Sequence, residues 1–267
     1  MANDVLMALL VVGLVALAAG ILLALASHFF GIKEDETVVN IRACLPGVNC
    51  GACGYAGCDD YAKAIANGAP TNLCTPGGDG AAANIANVLG IEAADVIEKV
   101  AVVHCSGNCN VTSKKAIYDG IQSCKAASML YAGPGACSYG CVGCGDCAKV
   151  CPYGAICMKD GIAHVDRRVC VGCGLCAKAC PKNLITLVPD TIKVVQGCSN
   201  KEKGAAARKN CQAACIGCKK CEKVCPHGAV RVENNLATVD YEKCTGCGLC
   251  AEACPTGCLK QVFFPNE

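Results

Sequence analysis

The chain has 267 residues, of which 29 are cysteine and 30 glycine, with four Phe, seven Tyr and no Trp. A formal net charge of +2 gives nucleic-acid binding no electrostatic support. The cysteine count is odd and the spacing tight and repeated, which points to bound metal rather than a disulfide framework. The same composition excludes collagen, coiled-coil and long disordered architectures.

From Val5 to Ser27 there is no charged residue. A helix of that length is roughly 35 Å long at about 1.5 Å per residue, enough to cross a hydrocarbon core. It is apolar on every face, so it is not an amphipathic surface helix. Gly13, Ala16, Gly20 and Ala24 would let another helix approach closely. A cleaved secretory signal is the alternative. No basic stretch precedes the run, and the run is too long for one. Lys33 and Arg42 flank it, but so do Glu34, Asp35 and Glu36, so charge orients the helix only weakly. Thiol-rich metal domains belong in a reducing compartment. The expectation is a single-pass protein of the cytoplasmic membrane with its cysteines on the cytoplasmic side.

Residues 45 to 78 carry Leu45-Pro46-Gly47-Val48-Asn49-Cys50-Gly51-Ala52-Cys53-Gly54-Tyr55-Ala56-Gly57-Cys58, then Cys74 and Pro76-Gly77-Gly78. Glycines around Cys50, Cys53, Cys58 and Cys74 allow the backbone to approach a [4Fe-4S] cube, with zinc as the alternative. Asp59 to Asn67 reads as a helix between the third and fourth ligands. Cys44 lies outside the set.

Four runs then share the spacing C-x2-C-x2-C-x3-C-P. They are Cys141, Cys144, Cys147 and Cys151; Cys170, Cys173, Cys176 and Cys180; Cys215, Cys218, Cys221 and Cys225; and Cys244, Cys247, Cys250 and Cys254. This is the ligand run of bacterial two-cluster ferredoxins, whose fourth cysteine serves the partner cube. The expected sets therefore interleave. Cys141, Cys144 and Cys147 go with Cys180, and Cys170, Cys173 and Cys176 with Cys151. Cys215, Cys218 and Cys221 go with Cys254, and Cys244, Cys247 and Cys250 with Cys225. Gly143, Gly172, Gly217 and Gly246 permit tight backbone approach to sulfide. Zinc knuckles need two ligands per knuckle and a longer spacer, which these runs lack. Short strands are expected at 162–165, 184–188, 236–239 and 259–264.

Every ligand of the first module recurs 74 positions later, and Cys124 and Cys137 map on to Cys198 and Cys211 at the same offset. Cys105 and Cys109 have no counterpart at that offset. Cys105, Cys109, Cys124 and Cys137 are thus expected to form a sixth set, the alternative being buried thiols. Cys198 and Cys211 read as reduced structural cysteines, or as contributors to another site with Cys157 or Cys258. His28, His104, His164 and His227 are scattered and read as structural. No nucleotide-binding glycine motif follows a strand, and there is no flavin-attachment motif or catalytic triad. The chemistry is then one-electron transfer. Lys201, Lys203, Arg208 and Lys209, and separately Lys219, Lys220 and Lys223, are basic stretches suited to an acidic partner or to an ordinary solvated face.

A membrane helix, LPGVNCGACGYAGC…CTPGG and tandem ferredoxin runs together resemble the B subunit of the Rnf complex, in its long form with two modules. The resemblance covers essentially the whole chain. It implies an α+β, multi-module protein: an anchor over 1–32, a four-cysteine [4Fe-4S] domain over 33–98, a connector over 99–137, one ferredoxin-like module over 138–190, and a connector with the second module over 191–267. It also implies five [4Fe-4S] clusters, to which the cysteine spacing adds the sixth set in the connector. The expected partners are the other subunits of a membrane Rnf-type complex, soluble ferredoxin as donor, the membrane, and no nucleic acid. The implied function is electron relay from reduced ferredoxin within an ion-translocating ferredoxin:NAD+ oxidoreductase. The alternative is a related complex that reduces a redox-sensing regulator.

Overall fold

The computed structural model of the protein describes residues 2–30 and 35–262. Helix α1 (Ala2–Phe30) is unbroken and contains the expected span. Its stretch Leu9–Ala26 has a mean hydropathy of 2.9 and is 0% buried against the rest of the protein. Among the described residues it is the one helix long and apolar enough to cross a membrane. An apolar surface this size left bare by the fold needs a non-aqueous surrounding or another helix to cover it.

The next unit is helical. Helix α2 (Glu36–Cys44) starts at Asp35, whose carboxylate accepts from Thr37 N at 2.9 Å. Helix α3 (Cys58–Ala66) stands where 59–67 was expected, and α4 (Gly78–Leu89) ends at Gly90 in the left-handed region. Ile41, Tyr61, Ile65 and Ile85 close a small core between them.

The first module contains β1 (Lys99–Val103), α5 (Cys124–Met129), α6 (Asp146–Lys149), β2 (Ile156–Lys159), β3 (Ile162–Val165), α7 (Leu175–Ala179) and β4 (Ile185–Pro189). The second contains β5 (Val194–Gln196), α8 (Gly204–Asn210), α9 (Lys220–Val224), β6 (Val230–Glu233), β7 (Leu236–Val239), α10 (Leu249–Glu252) and β8 (Leu259–Gln261). The expected strand at 259–264 is thus three residues long, and positions 263 and 264 lie outside the described residues.

Strands β2 and β3 form an antiparallel hairpin, as do β6 and β7. Asp160-Gly161 and Asn234-Asn235 turn them with positive φ at both positions, the type I′ requirement. The strand after each last ligand run does not close locally. β4 pairs antiparallel with β1, and β8 with β5. The local hairpin already uses its own two strands, so the closing strand takes its partner from the segment leading into the module. β1 therefore completes the first module from within the segment expected to be connector.

The two leading strands reveal a second register. Val103 pairs with Ile185, and Gln196 with Leu259. Ile185 and Leu259 are 74 positions apart, but Val103 and Gln196 are 93 apart. Cys105 therefore corresponds in space to Cys198, not to a gap. The first module carries 19 extra residues between this strand and its ligands, because Cys105 to Cys137 spans 32 positions and Cys198 to Cys211 spans 13. The match of Cys124 to Cys198 at offset 74 is a coincidence of sequence.

The modules are fastened along these leading segments. Ser106 N donates to Gly197 O at 2.8 Å, Gln212 N to Val111 O at 2.8 Å, and Thr112 Oγ1 to Asn210 O at 2.7 Å. Buried His104 spans the join: Nδ1–H donates to Gln196 O at 2.8 Å, and Nε2 accepts from Thr186 Oγ1 at 2.6 Å. Burial lowers its pKa, which keeps the imidazole neutral for that pair of bonds.

Candidate iron–sulfur sites

In the four-cysteine domain, Gly47, Gly51 and Gly54 take positive φ and fold the chain round Cys50 and Cys53. Asn49 Oδ1 accepts from Cys58 N at 2.8 Å and so ties the loop to the start of α3. Tyr61 O–H donates to Pro70 O at 2.8 Å and accepts from Leu73 N at 3.0 Å, which fixes the approach to Cys74. Burial raises the Cys74 pKa, and the neighbouring Cys58, Cys50 and Cys53 raise it further. All four thiols thus share one site.

The ferredoxin runs interleave in space. One cavity is lined by Cys151 together with Cys170, Cys173 and Cys176. Another is lined by Cys215, Cys218, Cys221 and Cys254, with Cys258 beside them. Cys141, Cys147 and Cys180 line a third together with Cys124, and Cys144 is hydrogen-bonded to Cys124. Cys250 has its pKa raised by burial and then by Cys244, Cys225 and Cys247, so the fourth set also gathers. In each run the glycine just before the second cysteine adopts positive φ: Gly143 at 90°, Gly172 at 65°, Gly217 at 65° and Gly246 at 76°.

These residues fit a cube. Ala101 N points at Cys170 Sγ, Leu184 N at Cys180 Sγ and Ala237 N at Cys215 Sγ, each at 3.4 Å. Such N–H groups stabilise negative sulfur and tune a cluster's potential. Burial pushes Cys147 up to about 11, Cys176 to about 12 and Cys221 to about 11. Gathered thiolates in so dry a site need a cationic centre among them. Among the described residues no three His, Cys, Asp or Glu side chains close on a single-ion position.

The expected set of Cys105, Cys109, Cys124 and Cys137 is not brought together. Cys109 is exposed, and its backbone N–H donates to Asp160 O at 2.9 Å. Cys124, at the start of α5, lies against Cys141, Cys144 and Cys147. The 19-residue insertion carries both away from Cys105. Cys105 and Cys137 instead face Cys198 and Cys211 around one cavity between the modules. Cys44 donates back to Asn40 O at 3.3 Å within α2, and Cys157 is exposed on β2. Cys258 is 1% exposed and hydrogen-bonded to both Cys198 and Cys215, whose pKa values fall to about 6 while its own rises.

Residues 45–76 match the family described as "Putative Fe-S cluster". Residues 140–184, 169–229 and 214–258 match "4Fe-4S dicluster domain". The B subunit of the Na(+)-translocating ferredoxin:NAD(+) oxidoreductase complex of Acetobacterium woodii is 42% identical, over 91% of this chain and 74% of that protein. The B subunit of the proton-translocating ferredoxin:NAD(+) oxidoreductase complex of Clostridium ljungdahlii is 45% identical, over 89% of this chain and 85% of its own length. Its counterpart in an ion-translocating oxidoreductase complex of Methanosarcina acetivorans is 39% identical, over 85% of this chain and 86% of its own length. Similarity at this level extends over most of the chain, which belongs to the B-subunit family of ion-translocating ferredoxin:NAD(+) oxidoreductase complexes.

Proposed function

We propose that this chain is the membrane-anchored iron–sulfur relay of such a complex, taking electrons from reduced ferredoxin and delivering them to the other subunits. The observation that carries it is the interleaving of the cysteine runs, Cys151 with Cys170, Cys173 and Cys176, and Cys254 with Cys215, Cys218 and Cys221. Two relatives carry ferredoxin and NAD(+) in their names, which favours this reading over reduction of a regulator.

The ligands are assigned as Cys50, Cys53, Cys58 and Cys74 for the first site, and the four interleaved sets for the rest. When bound, each [4Fe-4S] cube supplies one-electron storage, whereas NAD+ takes two electrons and a proton and is reduced on another subunit. The protein's own part is to hold the thiolates, aim N–H groups at them and exclude water. Helix α1 anchors residues 1–32. The four-cysteine domain spans 33–98, and β1 opens the first module ahead of its ligand runs. The cysteines face the cytoplasm, where thiols stay reduced.

Cys218 is exposed and is flanked by exposed Lys219, Lys220 and Lys223. That is the entry face for an acidic ferredoxin. Stopped-flow reduction of the anaerobic full-length chain by reduced ferredoxin tests it. The double variant Lys219→Glu, Lys220→Glu is expected to slow reduction about 10-fold or more at low salt, the scale of electrostatic steering. An unchanged rate with unchanged salt dependence removes this docking face.

A further inference from the structure

We propose that Cys105, Cys137, Cys198 and Cys211 hold a sixth [4Fe-4S] cube at the seam between the two ferredoxin modules. The proposal rests on the cube reading of the other five sets and assigns ligands that repeat spacing alone does not bring together.

The four thiols line one cavity with Gly107, Tyr139, Gly140 and Asn200. They come as two spatially equivalent pairs. Cys105 and Cys198 each follow a leading strand at the 93-residue register, and Cys137 and Cys211 each precede a ligand run at the 74-residue register. The N–H donors repeat with them: Cys141 N points at Cys105 Sγ and Cys215 N at Cys198 Sγ, both at 3.4 Å. This is the distance found at the ligand sulfurs of the modules. Backbone N–H groups of Tyr139 and Ala213 serve Cys137 and Cys211.

Two further features point to a guest. Asn200 is 0% exposed; its amide Nδ2 lies 3.6 Å from Cys137 Sγ and also donates to Glu202 Oε2 at 3.2 Å, while its backbone N donates to Cys198 Sγ at 3.4 Å. The amide thus divides its donors between a carboxylate and the sulfur, and the part that reaches Cys137 stabilises charge there. At Gly107 a Cβ would stand 3.3 Å from Cys211 Sγ and 3.7 Å from Cys105 Sγ, so glycine keeps the space between two thiols open.

The test is iron and sulfide per chain in anaerobically purified full-length protein. The wild type is expected to carry about 24 irons at four per cube, falling to about 20 in Cys137→Ala and in Cys211→Ala. Cys109→Ala is expected to keep about 24 irons. A wild type with about 20 irons, unchanged in both seam variants, overturns the sixth site and leaves the five standing. Iron loss from Cys109→Ala, with none from Cys211→Ala, overturns this ligand set. A wild type holding far fewer than about 20 irons, or zinc instead, overturns the five-cube reading and the sixth with it. Where a seam variant misfolds and loses all its iron, Asn200→Asp gives the second test. A carboxylate beside Cys137 is expected to move one cluster's midpoint to more negative potential in redox-poised EPR, at unchanged iron. No shifted midpoint overturns the proposal.

Discussion

Lys219 occupies a backbone position that its three counterparts give to glycine. Gly145, Gly174 and Gly248 begin the short ligand helices at φ of 79°, 75° and 83°, and Lys219 does so at 59°. A side chain in the left-handed region costs about 1–2 kcal/mol. Strain of this kind gathers at functional positions, and here it places an ammonium group beside the exposed thiol of Cys218. Lys219→Gly is therefore expected to stabilise the second module by about 1 kcal/mol, and to slow reduction by ferredoxin. Thermal bleaching of the iron–sulfur absorbance and stopped-flow reduction measure the two effects. A variant both more stable and equally fast removes the functional reason for the strain.

Among the elements, the ligand runs and the strands after each last ligand run were legible in sequence, and the partners of those strands, the leading strands β1 and β5, were not. Three ligands within seven positions are fixed by bonding to one small group, so their spacing survives as a local pattern. The pairing of β1 with β4 spans more than 80 positions and leaves no local period. The seam cysteines were hidden for the same reason. The available signal was a Cys-Ser pair just past each leading strand, Cys105-Ser106 and Cys198-Ser199. The insertion before Cys137 masked it. Part of that insertion is held by Lys182, just after the last ligand run of the first module. Its Nζ donates to Ala132 O and to Ser138 O, both at 2.8 Å. Lys182→Met removes charged hydrogen bonds worth about 1.5–3 kcal/mol each. The expected result is a loosened 132–138 segment, seen as faster amide exchange there, with the interleaved ligand sets unaffected. Unchanged exchange at 132–138 rules out the clamp.

Across the whole molecule the thiolate sets adjoin one another. Tyr153 has its pKa raised by burial and by Cys173, Cys50, Cys74 and Cys151, so it stands where the four-cysteine domain meets the first module. Lys178 fastens that meeting by donating to Cys50 O at 2.6 Å. Cys141 touches the seam through Cys105, and Cys215 through Cys198. The domains thus bury their ligand ends against each other and leave Cys218 and Cys247 exposed in the second module. Lys178→Ala is expected to weaken the domain contact by about 1.5–3 kcal/mol. Limited proteolysis would read this as faster cutting across the exposed stretch 90–98, at unchanged iron content. Equal cutting rates in wild type and variant contradict that role for Lys178.

The two registers also bear on biogenesis. Cys105 and Cys137 leave the ribosome 93 and 74 positions ahead of the cysteines they face, Cys198 and Cys211. With the ligand set proposed above, the seam site cannot be filled while the second half of the chain is unmade, whereas the cysteines assigned to the first module are already complete. Cluster loading then has a built-in order, and the seam comes after the module that precedes it. A nascent chain stalled between the modules holds finished ferredoxin sites beside two unpaired thiols, the state that a maturation factor or an oxidant would meet first.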